Sequence, residues 1–159
     1  MLSGRFGNTT GRPYMEGRLA LPRLGIFGDI SFIVDTGADK SVLMPLDGGR
    51  MSLDYGKLGP TVETVGIGGL SKDFIEPAVL AFVDPGNWLY VYSFQIHISP
   101  PNPQIGNIPS LLGRDILNQW VLTHDRPHNR LVAEVVTSTF QISLKAPEIS
   151  PPADTSQGG

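Results

Sequence analysis

An eleven-residue stretch, WLYVYSFQIHI from Trp88 to Ile98, limits the fold most strongly because it alternates with a period of two. Such alternation is typical of a β-strand with one face in the core. The residues with even numbers are large and apolar, and we assign them to the core. The opposite face carries Ser93, Gln95 and His97, which predicts an exposed His97. The chain also holds 19 Gly and 14 Pro among 159 residues, which favours an all-β domain of short strands and tight turns.

Other strands are predicted where apolar or alternating runs end at Gly, Pro or polar turns. They lie at residues 14–21, 30–34, 41–44, 77–83, 130–136 and 139–144, with a hairpin of two strands within 61–75. A change to helical spacing after residue 111 predicts one short helix near the C-terminus, from Arg114 to Gln119. Residues 47–60 are expected to form a loop with one helical turn near 54–57.

The length fits one domain. We assign residues 1–144 to it and residues 145–159, which are rich in Pro, Ser, Asp and Gly, to a disordered tail. Residues 1–12, rich in Gly, Asn and Thr, are expected to form a loose arm.

Composition argues against several classes of function. A formal net charge of −3 without a cluster of Lys and Arg predicts no nucleic-acid partner. The chain has no Cys, and therefore no disulfide or thiolate site. His124 and His128 flank a Pro turn, and neither a metal nor another cofactor is expected. The longest apolar run, 78–83, is far shorter than a membrane span, and we expect no membrane association and a cytoplasmic location.

Three motifs follow one another along the chain. In FIVDTGADKSVL, residues 32–43, an apolar run ends at Asp35-Thr36-Gly37, and Asp39 follows. The glycine-rich VGIGGL covers 65–70, and LLGRD covers 111–115. Taken singly, Asp-x-Gly is common in turns and a glycine-rich segment is common at hairpin tips. A carboxylate at the end of a buried strand nevertheless costs free energy unless it is paired or used.

Together, in this order, the three motifs resemble those of the retroviral type of aspartic protease, the retropepsins, over roughly residues 14–136. The resemblance implies a closed β-barrel subunit of an acid protease, with Asp35, Thr36 and Gly37 as its catalytic loop. Substrate-binding residues would be Ala38 and Asp39 together with the flap, which comprises Val65, Gly66, Ile67, Gly68 and Gly69.

The resemblance also implies structural roles around the loop. Arg114 would pair with Asp39 in a buried ion pair and join the loop to the helix. Asp115, where retroviral enzymes commonly have Asn, would suit the first turn of the helix electrostatically. Val42, Ile67 and Leu112 are expected to form apolar walls of the substrate groove.

Hydrolysis of a peptide bond without metal or covalent intermediate requires a water held between a base and an acid. Two carboxyl groups ~4 Å apart repel by about 4 kcal/mol at an effective dielectric constant of about 20. One therefore stays protonated while the other is ionised, as in the aspartic-protease dyad. Only one Asp-Thr-Gly is present, since Asp154-Thr-Ser lacks the glycine. The resemblance therefore implies a homodimer that cleaves peptides with one Asp35 from each chain. The alternative is an inactive dimer of this fold that binds peptides or serves in an assembly.

Overall fold

The computed structural model describes residues 1–66 and 69–153. Its strands are β1 (Leu2–Ser3), β2 (Arg5–Phe6), β3 (Pro13–Leu21), β4 (Ile26–Val34), β5 (Val42–Leu43), β6 (Thr61–Gly66), β7 (Gly69–Val83), β8 (Trp88–Ile98), β9 (Leu111–Leu112), β10 (Trp120–Asp125), β11 (Arg130–Val135) and β12 (Phe140–Ser143). The helices are α1 (Pro45–Arg50) and α2 (Arg114–Leu117), with 3₁₀ helices at Pro22–Leu24, Tyr55–Lys57 and Pro103–Ile105. Within the described ranges, no helix is both long and apolar enough to cross a membrane.

Six strands close into a barrel in the order β8–β5–β9–β4–β3–β7, and pairing of β7 with β8 completes the ring. The pairs β4–β9 and β5–β8 are parallel, whereas the other neighbours in the ring are antiparallel. β6 extends β7 into a hairpin outside the ring, and β12 pairs with one end of β8. The predicted all-β closed barrel is confirmed.

Aromatic side chains fill one end of the core. The ring of Phe82 meets those of Tyr92 and Trp120 edge-on, with centroids 6.1 and 5.1 Å away. Nε1 of Trp120 donates to the hydroxyl of Tyr92 at 2.7 Å, and that hydroxyl donates to the carbonyl of Thr137 at 3.2 Å. The polar atoms of these buried rings are therefore satisfied. Trp88, at the start of the predicted core face of β8, is instead exposed.

The expected loose arm at residues 1–12 is wrong in its first half. β1 pairs with β11, and β2 pairs with β3. Leu2 and Phe6 are buried in the core. Two apolar side chains spaced four residues apart anchor a segment whose polar composition suggested disorder, because their burial offsets the entropy of ordering it.

Besides β1 and β2, the helix α1 and the strands β9 and β10 were not predicted. Most of α1 lies in the expected loop. Pro45 occupies its first turn, where the missing N–H costs nothing, although Gly48 and Gly49 disfavour a helix. β10 follows α2 and pairs with β11, extending the β1–β11–β10 sheet. Residues 145–153 form neither helix nor strand, and residues 154–159 lie outside the described residues, so the disordered tail stays a prediction.

Candidate active site

Asp35 follows β4 at the point where this strand pairs in parallel with β9. The pairs Ile33–Leu111 and Val34–Leu112 set the register. The N–H of Asp35 continues the ladder by donating to the carbonyl of Leu112 at 3.0 Å. The backbone of Asp35 is thus held by the barrel, while the residue is half-buried and lines a cleft.

The turn after Asp35 wraps around its carboxylate. The N–H of Gly37 donates to Oδ1 of Asp35 at 3.0 Å, and the N–H of Ala38 donates to the Asp35 carbonyl at 3.2 Å. A Cβ on Gly37 would lie 3.2 Å from Oδ1, closer than most such contacts. Glycine is therefore favoured here for space beside the carboxylate.

Ser41 joins the active-site loop to the start of α2. Its Oγ donates to Oδ1 of Asp115 at 2.7 Å and accepts from the N–H of Gly113 at 3.0 Å. Its own N–H donates to the same carboxylate at 3.0 Å. A Cβ on Gly113 would lie 2.5 Å from the carbonyl carbon of Lys40, so only glycine allows the two segments to approach this closely. The expected structural role of Asp115 thus has a defined set of contacts.

Arg114 and Asp39 form the expected ion pair. A guanidinium nitrogen of Arg114 donates to Oδ1 of Asp39, and another donates to the carbonyl of Thr36 at 3.0 Å. The pair is not buried, because the side chain of Arg114 is 43% exposed and that of Asp39 is 78% exposed. The expectation of a buried pair is wrong, and its contribution to stability is correspondingly small.

A cleft of about 810 Å³ lies between this loop and the β6–β7 hairpin. Its lining includes Asp35, Gly37, Ala38, Asp39 and Val65, all predicted site residues. Val65 is also largely exposed. Ile67 and Gly68, predicted flap residues, lie outside the described residues. The two flanking glycines of the flap, Gly66 and Gly69, pair across the tip of the hairpin, and Gly69 has a φ of +106° that other residues rarely adopt.

The barrel wall of the cleft differs from the expectation in one residue. Val42 lines it as predicted, but Leu112 is fully buried in the core and the neighbouring Leu111 faces the cleft. Successive side chains of a strand point to opposite faces, so a strand of only two residues offers no alternation from which to choose the face.

The same wall carries polar residues that sequence reasoning missed. Lys40, Asp73 and His97 line the cleft. His97 was expected to be exposed but is buried. It lies opposite Ile75 of β7 on one side and Val42 of β5 on the other, and these neighbours cover it. Alternation within β8 indicated its face, but nothing local indicated that this face is covered too.

The base of the β6–β7 hairpin is anchored by a second ion pair. Glu76 of β7 is buried, and both of its oxygens accept from the Arg23 guanidinium, at 2.7 and 3.0 Å. Arg23 also donates to the carbonyl of Lys57 at 2.7 Å. These contacts hold the part of β7 that leads into the hairpin.

Neither family models nor curated proteins give a match to this chain. Among solved structures, the fold matches the crystal structure of a retropepsin-like aspartic protease from Rickettsia conorii, with a TM-score of 0.56 and 20% identity over 84% of this chain and 88% of that chain. The chain has the retropepsin-like fold. EIAV protease complexed with the inhibitor HBY-793 is also found, with a TM-score of 0.47 and 22% identity over 70% of this chain and 90% of that chain.

The retropepsin-like fold explains why the three sequence motifs are brought together. The Asp-Thr-Gly loop and the Gly-Arg-Asp segment meet through the parallel β4–β9 pair and through Ser41. The glycine-rich hairpin lies on the other side of the cleft. Within residues 1–66 and 69–153, no group of three or more His, Asp or Glu side chains is arranged to hold a metal ion.

Proposed function

We propose that the protein is an aspartic endopeptidase that acts as a homodimer. The observation that carries this proposal is the position of Asp35. Asp35 lines a cleft of about 810 Å³ together with residues of the β6–β7 hairpin, and its carboxylate accepts from the N–H of Gly37. An extended peptide in this cleft would bring a scissile carbonyl to the carboxylate.

The chemistry needs a second carboxyl group to share one proton with Asp35 and hold a water between them. The chain offers one Asp-Thr-Gly, so the second Asp35 would come from a second copy around a two-fold axis. One Asp35 would take a proton from the water as it attacks the carbonyl, and the other would give its proton to the carbonyl oxygen. The resulting gem-diol would then collapse with transfer of a proton to the leaving amine.

The neighbouring residues would have distinct roles. Thr36 would hydrogen-bond through its hydroxyl to the loop of the partner subunit across the two-fold axis. Its carbonyl already accepts from Arg114. Ala38 and Asp39 would contact the substrate backbone beside the loop. Val65, Gly66, Ile67, Gly68 and Gly69 would close over the substrate as a flap.

The test is the replacement Asp35→Asn, which keeps the shape of the side chain and removes the base. Cleavage of a diverse peptide library should fall by at least about a hundredfold, while the folded protein remains intact by circular dichroism. Asp29→Asn is the matched control, because Asp29 is an exposed carboxylate paired with Arg18 and does not line the cleft. Full activity of purified Asp35→Asn would contradict the proposal. A wild-type protein that binds peptides without cleaving them would instead support a dimeric peptide-binding module.

A further inference from the structure

Two ionisable side chains of the cleft have no part in the chemistry assigned to Asp35. Asp73 on β7 and His97 on β8 are 8% and 9% exposed and line the same cleft as Asp35. Burying such groups costs free energy unless their polar atoms are satisfied. Their contacts therefore indicate what the cleft can bind at this point.

Within the Asp73–His97 pair, Nδ1 of His97 and Oδ2 of Asp73 already face groups of the protein itself. Nδ1 of His97 lies 3.5 Å from Oδ2 of Asp73. The same Oδ2 accepts from Oγ1 of Thr64 at 3.2 Å, and Oγ1 of Thr64 lies 2.7 Å from Oγ of Ser71. Among residues 1–66 and 69–153, Oδ1 of Asp73 and Nε2 of His97 have no hydrogen-bond partner, and neither atom is sealed from solvent.

Both open atoms are acceptors when His97 is neutral. With the ring proton on Nδ1, the nitrogen that lies nearer the Asp73 carboxylate, Nε2 is left with a lone pair. A group that fits this site must present two donors. Carboxamide, ammonium and guanidinium groups do so, whereas a hydroxyl presents one and a carboxylate none.

The charge of the cleft separates these candidates. Lys40 lines the same cavity, and within the described part of the chain no carboxylate lies within ion-pairing distance of it. The nearby Asp39 is already paired with Arg114. A cationic side chain would be attracted by Asp73, but it would have to lose its hydration beside two side chains that are 8% and 9% exposed, and it would share the cleft with Lys40. An uncharged carboxamide avoids this desolvation cost.

We propose that Asp73 and His97 form a subsite that takes an Asn or Gln side chain of the substrate, whose amide NH₂ donates to Oδ1 of Asp73 and to Nε2 of His97. This inference rests on the proposed peptide-cleaving function. It makes the protein selective for an amide at one substrate position, beside Val42 and Leu111, the apolar residues of the same wall.

The first experiment profiles cleavage of a peptide library by the wild-type protein, followed by two peptides that differ only by Asn or Leu at the position of greatest selectivity. Asn and Leu branch alike at Cγ, so the pair isolates the hydrogen bonds. We expect kcat/KM to be at least about tenfold higher for the Asn peptide. The double variant Asp73→Leu/His97→Leu should reverse the preference while retaining cleavage of the Leu peptide. If the double variant fails to fold, the single variant Asp73→Asn takes its place and should reduce the preference.

Gln95→Leu is the matched control, because Gln95 lies on the same face of β8 two residues away, is exposed and does not line the cleft. It should keep the wild-type preference. An Asn preference that is absent from the wild-type protein, or unchanged in both Asp73 variants, would overturn the subsite.

A binding experiment separates failure of the subsite from failure of the proposed function. The same library is bound to Asp35→Asn protein, and retained peptides are identified by mass spectrometry. Enrichment of Asn or Gln at one position that is lost in Asp35→Asn/Asp73→Asn supports the subsite even if the wild-type protein cleaves nothing. Retention without such enrichment, or no retention at all, overturns it.

Discussion

The hydroxyl of Ser41 donates to Oδ1 of Asp115 at 2.7 Å and thereby joins the loop that carries Asp35 to the first turn of α2. The same carboxylate accepts from the N–H groups of Ser41 and Ile116. The Ser41–Asp115 contact is partly buried, whereas the Asp39–Arg114 pair beside it is exposed. The loop is therefore held chiefly by neutral donors on one carboxylate.

Asp115→Ala should lower the free energy of unfolding by about 1.5–3 kcal/mol, because several donors lose a charged acceptor. Asp115→Asn keeps one acceptor oxygen and should cost less. Arg114→Ala should cost about 0–1 kcal/mol, as expected of an exposed pair. Urea denaturation of the three variants measures these differences, and a larger loss for Arg114→Ala than for Asp115→Ala would contradict this ranking.

Tyr55→Phe should stabilise the fold. The hydroxyl of Tyr55 is buried and has no hydrogen-bond partner within the described part of the chain, and burial raises its pKa. Removal of an unsatisfied buried hydroxyl should increase the free energy of unfolding by about 1 kcal/mol. Thermal denaturation provides the measurement, with Tyr14→Phe as a control on a partly exposed ring. A lower melting temperature for Tyr55→Phe would mean that the hydroxyl has a partner.

Asp84 should make the free energy of unfolding depend on pH in the acidic range. Its Oδ1 accepts the N–H of Trp88 at 2.9 Å, and this hydrogen bond lowers the pKa of Asp84 below its ordinary value of 3.8. A lowered pKa in the folded protein means that the stabilisation is complete above the pKa of the unfolded chain. It is lost as the pH falls through the pKa of the folded state.

The measurement is the free energy of unfolding of wild-type and Asp84→Asn protein at about pH 7 and about pH 2. At the higher pH the wild-type protein should be more stable than Asp84→Asn, and this difference in the free energy of unfolding should shrink on acidification. Asp54→Asn is the comparison, since Asp54 is an exposed carboxylate that also caps a backbone N–H. A difference in stability between wild type and Asp84→Asn that grows on acidification would contradict the predicted direction of the pH dependence.

The proposed dimer should depend on β12. The resemblance to retropepsins makes the two strands at the end of the domain, at residues 130–136 and 139–144, the candidates for its interface. β11 is already paired on both sides by β1 and β10, whereas Phe140 and Ile142 of β12 are 59% and 49% exposed. Because each side chain is already about half-buried, a second copy that covers it would bury further apolar area worth about 1–1.5 kcal/mol.

Phe140→Ser/Ile142→Ser should therefore raise the dimer dissociation constant by at least about tenfold. As this variant is diluted, its activity and its sedimentation coefficient should fall together. Phe27→Ser is the control, because Phe27 is 66% exposed on β4, outside the cleft and β12. An unchanged dimer in the β12 variant would place the interface elsewhere, and an active monomer would contradict the shared site.

Local patterns in the sequence predicted most of the barrel strands. β8 follows its alternation from Trp88 to Ile98, and β6 and β7 follow apolar runs around a glycine-rich tip. The tripeptide from Asp35 was placed correctly at the end of a strand because strand and turn propensities act over a few residues. β9 and β10 were missed, since β9 spans two residues and the residues before β10 carry helical spacing.

The sequence by itself therefore determined the class of fold, the order of the three motifs and the presence of a single Asp-Thr-Gly. Only the tertiary structure decided that Leu111 and not Leu112 faces the cleft, that the Asp39–Arg114 pair is exposed, and that Asp73 and His97 are buried together in the cleft wall. The physical reason is that alternation assigns a side chain to one face of its own strand. Whether that face meets water, core or ligand depends on strands that are distant in the chain and pair with it only when the barrel closes.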